Sequence, residues 1–327
     1  MIKSRRKKYI LFGAGVWGKH ALKVFGKDRV VCFCDNFKHG EMIDDVPVVL
    51  IESISEYIQD SIDIVIATKN IKSIIEIADQ LKENNYPYRL LDDAVKDIVE
   101  EEARIYDEMN IRDSFCYDAN TFYPIPWDRI WDAGTVKQYF WQDLWAAKKI
   151  FKNRPKEHYD IGSRVDGFIA HLLSFGQKIN LIDIRSLEAD IPNVDFTQSD
   201  ATELKSIGDN SIESISALCS LEHFGLGRYS DPIDPEACFK CFEAIQKKVR
   251  EHGKIYISVP IGREHVEFNA HRIFNAKTIK DAFDRCELVE LSATNENKIE
   301  YNIDLHKYDK EPERGAEIFG LFEFVKK

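Results

Sequence analysis

The sequence predicts an α/β protein made of two doubly wound, Rossmann-like domains, each a mostly parallel sheet covered by helices. Three observations predict it. Short apolar runs alternate with stretches of helical periodicity twice along the 327 residues, which is the pattern of consecutive βαβ units. Each series opens with a strand, a glycine turn and a helix: Gly13-Ala14-Gly15-Val16-Trp17-Gly18 in the first, Gly162-Ser163-Arg164-Val165-Asp166-Gly167 in the second. Each second strand ends in an aspartate, Asp35 or Asp183, where an acid can receive a ribose.

In the first series, residues 8–12, 29–34, 45–49, 62–67 and 88–91 read as strands, with helices at about 16–25 and 71–81. This places a nucleotide-binding domain at residues 1–95. Residues 96–158 read as a helical, Trp-rich linker or lid. They hold a charged helix near 94–109, a Pro- and Trp-containing stretch, and an aromatic helix near 135–151 with Trp127, Trp131, Trp141 and Trp145. Aromatic residues spaced three or four apart on a helix point to packing in a core or between domains; a wall over the second domain is the competing reading. The second domain, residues 159–327, has strands at 159–161, 178–183, 195–197, 212–218, 254–259 and 288–291. A closing strand at 317–325 fits an antiparallel partner beside the sixth.

Composition bounds the function. With 44% hydrophobic and 31% charged residues the chain is an ordinary globular protein. A net charge of −11 argues against broad nucleic-acid binding, which depends on releasing counterions from phosphates. The one basic run, 3–8, reads as a solvated flank of the first strand, with contact to an anionic partner as the alternative. No apolar stretch is long enough to span a membrane, and no secretory h-region opens the chain. Seven scattered cysteines suit reduced thiols in a cytoplasmic protein. Cys238 and Cys241 have half the spacing of a zinc site but no second pair, so no metal is expected. The oligomeric state is left open.

The first glycine turn matches the dinucleotide fingerprint in its proper context. Gly13, Gly15 and Gly18 allow a tight turn and close approach of phosphate to a helix start, and Asp35 follows Gly13 by 22 residues. A purely steric need for glycine explains the motif equally well. The layout of strand, glycine loop, Cys34-Asp35-Asn36 and Val46-Pro47-Val48-Val49 resembles the small domains that bind nucleotides or sugar nucleotides ahead of some bacterial glycan-modifying enzymes. The second turn differs. Asp160 ends its strand, Gly162 follows, and Gly167 starts the helix; Asp183 lies 23 residues beyond Asp160 and Asp200 follows the third strand. Three acids at successive strand ends suit a polar adenosyl group. Helix capping is the alternative.

Residues 159–292, with Gln198-Ser199-Asp200-Ala201 and Leu221-Glu222-His223 placed as quoted, resemble class I S-adenosylmethionine-dependent methyltransferases. More narrowly, the stretches 162–171, 222–229, 271–274 and 140–149 are similar to an uncharacterised methyltransferase-like family. The resemblance implies a seven-stranded sheet and S-adenosylmethionine as cofactor, held by Asp160, Gly162, Arg164, Gly167, Asp183 and Asp200. Arg164 departs from the usual closely spaced glycines. It would pair with the cofactor carboxylate or with Asp160, or else crowd the pocket. The resemblance also implies a small-molecule or carbohydrate hydroxyl as methyl acceptor; the glycan part comes from the first domain.

Ligands in such sheets bind outside the carboxyl ends of the strands. There the loop after the fourth strand supplies Glu222, His223, Arg228 and Tyr229, and the segment after the fifth supplies Arg263, Asn269, His271 and Arg272. His223 is the first choice of general base, because histidine titrates near neutrality, and His271 the second. The arginines suit a phosphate or carboxylate on the substrate. Two other classes stay open: a scaffold that kept the fold without catalysis, and an oxidoreductase or epimerase centred on the first glycine turn.

Overall fold

The computed structural model describes residues 7–58, 62–310 and 315–327. Of the basic run, residues 3–6 lie outside the described residues, and Lys7 is paired with Asp63 at 2.6 Å. The chain divides into two compact units, Met1–Gly134 and Thr135–Lys327.

The first unit contains β1 (Lys8–Phe12), α1 (Val16–Phe25), β2 (Val30–Cys34), β3 (Met42–Ile43), β4 (Val46–Val49), β5 (Ile62–Ile66), α2 (Ile71–Glu83), β6 (Tyr88–Leu90) and α3 (Leu91–Met109). Its sheet runs β3-β4-β2-β1-β5-β6 and is parallel apart from β3. Alternate side chains of β1 feed different cores: Tyr9 and Leu11 pack on one face, Ile10 and Phe12 on the other. A strand covered on both faces has no polar side, so its sequence reads as an unbroken apolar run.

The second unit contains α4 (Gln138–Asn153), β7 (His158–Ile161), α5 (Gly167–Ser174), β8 (Ile179–Asp183), β9 (Val194–Gln198), β10 (Ile212–Leu218), α6 (Ala237–Lys248), β11 (Val249–Pro260), β12 (His265–Glu267), β13 (His271–Ile273), α7 (Ala276–Ala282), β14 (Cys286–Thr294), β15 (Ile299–Glu300) and β16 (Phe319–Lys326). The main sheet runs β15-β14-β16-β11-β10-β7-β8-β9, with β16 antiparallel to both of its neighbours. The expected count of seven strands becomes eight, because the two-residue β15 pairs with the end of β14. The β12–β13 hairpin, expected as loop, is also ordered. Cys238 and Cys241 of α6 are core residues packed with Phe242.

The expected linker, 96–158, is divided between the units. Residues 96–134 belong to the first, where Trp127 meets Trp17 edge to face at 5.2 Å and Arg129 donates to the Val24 carbonyl at 3.3 Å. Helix α4 belongs to the second. Its Trp145 is buried and donates Nε1–H to Glu290 at 2.9 Å. Lys149 ties Glu290 of β14 at 2.8 Å to Glu323 of β16 at 2.6 Å, and Lys254 reaches Glu323 at 3.2 Å. A sequence shows Trp145 and Lys149 as one helix face but not which sheet that face covers. Lys149→Ala leaves the partly buried Glu290 without a cation, while Glu323 keeps Lys254, and is expected to cost about 3 kcal/mol, read as a lower urea midpoint in equilibrium unfolding.

Candidate functional site

In the second sheet, β7, β8 and β9 step outward in one direction and β10 and β11 in the other, so the strand order reverses between β7 and β10. Such a reversal opens a crevice at the carboxyl ends of the strands. Two cavities lie there, of about 250 Å³ and about 600 Å³, and both are lined by Gly162, Cys219 and His223. Gly162 has a φ of +80°, and a Cβ on it would sit 2.7 Å from the Cβ of Ser220, so the seam between β7 and β10 admits only glycine at this point.

Beneath the turn runs a buried polar chain. Ser216 donates to the Asp160 carboxylate at 2.6 Å, so its oxygen must accept from Nε2–H of His158 at 2.9 Å. His158 Nδ1 is then left to accept from the Ser214 hydroxyl at 2.8 Å. Every donor points toward Asp160, which also accepts from Oγ and N of Ser163 in the turn. Burial pushes His158 down to about 3 and keeps it neutral, and burial pushes Asp160 up to about 6. Asp160 therefore shapes the turn from below. Arg164 does not reach it; its side chain is exposed and pairs with Asp166 at 3.3 Å.

The smaller cavity holds Asp183 and the stretch Asp200–Glu203. Asp183 accepts from the backbone N of Arg185 at 2.8 Å, from its Nε at 2.9 Å and from its Nη2 at 2.5 Å. Arg185 was not among the expected site residues, yet it lines both cavities and lies over the Tyr229 ring at 4.8 Å. A capping pattern at the strand end was its only sequence signal. Asp200 accepts from the N–H of Thr202 at 2.8 Å, which leaves its second oxygen for a ligand.

The larger cavity brings together Glu222, His223, Arg228, Tyr229 and His271. His223 Nδ1 lies 2.7 Å from the Ala270 carbonyl. Nη1 of Arg228 lies 3.1 Å from the same Nδ1 and donates to that carbonyl at 2.7 Å; in the tautomer that donates Nδ1–H to the carbonyl, which only accepts, Nε2 carries the lone pair. Nε2 faces Glu222 Oε1 at 3.4 Å. Burial, then the nearby Arg228 guanidinium, takes His223 down to about 4. Burial raises Glu222 to about 8, and its Oε2 has no hydrogen-bond partner. His271 Nε2 is 3.0 Å from Glu267 but not aligned for a hydrogen bond.

Three expected substrate residues lie elsewhere. Arg272 donates to the carbonyls of Phe224 at 2.6 Å and Pro235 at 3.3 Å, clamping the loop after β10. Arg263 and Asn269 are exposed and line neither cavity. All three stand near the strand ends in sequence, but the β12–β13 hairpin turns their side chains away from the crevice. Among the described residues no group of His, Cys, Asp and Glu is arranged to hold a metal.

The first unit has its own crevice, about 240 Å³, lined by Gly13, Gly15, Asp35, Ala67 and Thr68 at the reversal between β1 and β5. A Cβ on Gly18 would fall 1.9 Å from the Gly13 carbonyl oxygen, a steric need internal to the turn. Asp35 accepts from the N–H groups of Ala14 at 2.8 Å, Phe37 at 2.9 Å and Lys38 at 3.1 Å, so it fastens the turn rather than standing free.

The strand order and the antiparallel β16 decide the fold of the second unit. It is a class I methyltransferase fold. Residues 180–317 match the family model described as Caenorhabditis protein of unknown function, DUF268. No curated protein matches the chain. Among solved structures, it is similar to a Burkholderia thailandensis 1,6-didemethyltoxoflavin-N1-methyltransferase with bound S-adenosylhomocysteine, at 17% identity over 57% of this chain and 79% of that chain, TM-score 0.36. A glycopeptide N-methyltransferase complexed with sinefungin is 8% identical over 61% of this chain and 90% of that chain, TM-score 0.40. A TehB-like methyltransferase from Corynebacterium glutamicum is 14% identical over 55% and 86%, TM-score 0.37. The methyltransferase fold assignment stands on the sheet itself. No helix among the described residues is long and apolar enough to cross a membrane.

Glu222 makes this fold pH-sensitive. Its carboxyl is raised to about 8 in the folded chain against ~4.3 unfolded. The native state therefore holds a proton that the unfolded state loses, and stability falls as pH rises from ~5 through ~8. Glu222→Gln is expected to flatten that part of the profile in urea unfolding measured across this range.

Proposed function

We propose that the second unit is an S-adenosylmethionine-dependent methyltransferase acting on a hydroxyl of a small molecule or carbohydrate. One observation carries the reading: two cavities meet at Gly162 and Cys219, one lined by the acids Asp183 and Asp200, the other by His223 and Glu222. The adenosyl group fits the smaller cavity, with Asp183 receiving the ribose and Asp200 and Ala201 at the base. Arg164, in the lining of the larger cavity beside Gly162, is the cation that would take the amino-acid carboxylate. The cofactor supplies the methyl group as an electrophilic carbon on sulfur.

The acceptor then lies in the larger cavity. His223 Nε2, its lone pair fixed inward by the Nδ1–H bond to Ala270, takes the hydroxyl proton as the oxygen is alkylated. Glu222 excludes water and holds the imidazole edge at 3.4 Å; His271 lines the same wall. Arg228 and Tyr229 form the acceptor rim. Positioning supplies most of the rate in such a transfer, so His223→Gln is expected to lower kcat by ~10²-fold or more while leaving cofactor affinity unchanged.

A second reading concerns the first unit, as a binder of a nucleotide or sugar nucleotide. A Cβ on Gly15 would meet nothing within 4 Å, and its backbone faces the crevice. A glycine with no packing reason suits a ligand that comes close to the backbone. A sugar-nucleotide acceptor would link both units in glycan metabolism. Six buried free thiols fit a reducing, cytoplasmic setting.

Calorimetric titration of S-adenosylhomocysteine into the full chain tests the main reading. Micromolar binding is expected, lost in Asp183→Ala. Arg185 holds the carboxylate edge a ribose would take, so Arg185→Ala is expected to tighten binding several-fold. Absence of binding to the folded wild type would overturn the reading. Binding of nucleotides or sugar nucleotides that disappears in Gly15→Val would move the function to the first unit; absence of both leaves a scaffold.

A further inference from the structure

We propose that Asp143, on helix α4, binds the α-ammonium group of the cofactor's amino-acid part. This rests on the methyltransferase reading above and adds to it a residue that lies before the first strand of the methyltransferase sheet.

Asp143 lines the larger cavity beside Gly162, Ser163 and Gly167. Its Oδ2 sits where a Cβ on Gly167 would be only 2.5 Å away, so the carboxylate rests on the first residue of α5 and closes the glycine turn from above. Among the described residues its one hydrogen bond is from Gln142 Nε2 to Oδ1, at 3.2 Å. Gln142 is itself oriented: Ser258 Oγ donates to its Oε1 at 2.7 Å, which turns the amide nitrogen toward Asp143. Oδ2 accepts nothing and no cation stands within ion-pair distance.

The charges around it do not compensate. Asp166 and the buried Asp160 are of like sign, and His171 is the one basic group whose field reaches it. Burial raises its carboxyl to about 6. Glu222, in the wall of the same cavity, adds a buried oxygen with no partner. A half-buried carboxylate held in place and short of a cation is a site for an ammonium ion, and the charge-assisted bond would lower its pKa again. Arg164 of the turn lines the same cavity and pairs with the exposed Asp166 at 3.3 Å; the ligand's carboxylate would take over that guanidinium.

The test compares two ligands in calorimetric titrations of the full chain: S-adenosylhomocysteine, and 5′-methylthioadenosine, which lacks the amino-acid part. Asp143→Asn is expected to weaken the first about tenfold and leave the second unchanged; Asp143→Glu should recover part of the loss. Wild-type affinity for S-adenosylhomocysteine should fall as pH drops through about 6, and the dependence should vanish in Asp143→Asn. Equal binding of S-adenosylhomocysteine by wild type and variant overturns the proposal and leaves the methyltransferase reading intact. Equal loss of both ligands assigns Asp143 a structural role and also overturns it. Failure of wild type to bind either ligand sinks the methyltransferase reading and this proposal together.

Discussion

The second unit depends on the seam between β7 and β10. There the strand order reverses, and the two strands are joined by a buried polar chain as well as by the backbone ladder. His158 has both ring nitrogens bonded to β10 hydroxyls, and Ser216 passes the chain on to Asp160. A buried polar network is worth its desolvation only when every member is satisfied. Here each donor has one acceptor and all point toward the carboxylate. The result is a glycine turn whose shape is set from below, with Gly162 against Ser220 leaving no room for a side chain.

Above that seam the chemistry is a matter of uncompensated charge. Asp143, Asp160 and Glu222 are carboxyls whose burial raises their affinity for protons; the fields of His171 on Asp143 and of Arg228 on Glu222 offset it only in part. Asp183 is ion-paired with Arg185 at 2.5 Å. Asp183 lies in the smaller cavity and Asp143 and Glu222 in the larger, so the crevice presents acids in differing environments. Asp143 and Glu222 share the wall of one cavity, and perturbed carboxyls in a cleft are a common mark of a functional site.

Much of the fold was legible in the chain. The apolar runs of β1 and β2 pack on both faces, which makes them continuous in sequence and easy to bound. The glycine turns and strand-end acids were legible too, because they require particular residue types at fixed spacing. Elements that depend on a distant partner were not. β15 exists because the end of β14 is free to pair, and the β12–β13 hairpin has little local pattern of its own. Trp127 and Trp145 look alike in sequence, although one packs on Trp17 and the other bonds Glu290 of the second sheet.

The sequence by itself determined the doubly wound class, the two glycine turns and the acids at the ends of β7 and β8, since each is a local requirement of backbone geometry or strand period. Only the tertiary structure decided which polar side chains face the crevice. Arg272 spends its donors on carbonyls, Arg263 and Asn269 are exposed, and Arg185 and Asp143, which were not among the expected site residues, line the cavity. The reason is that a side chain's partner is set by whatever the fold brings within about 3 Å of it, and no spacing along the chain encodes that distance.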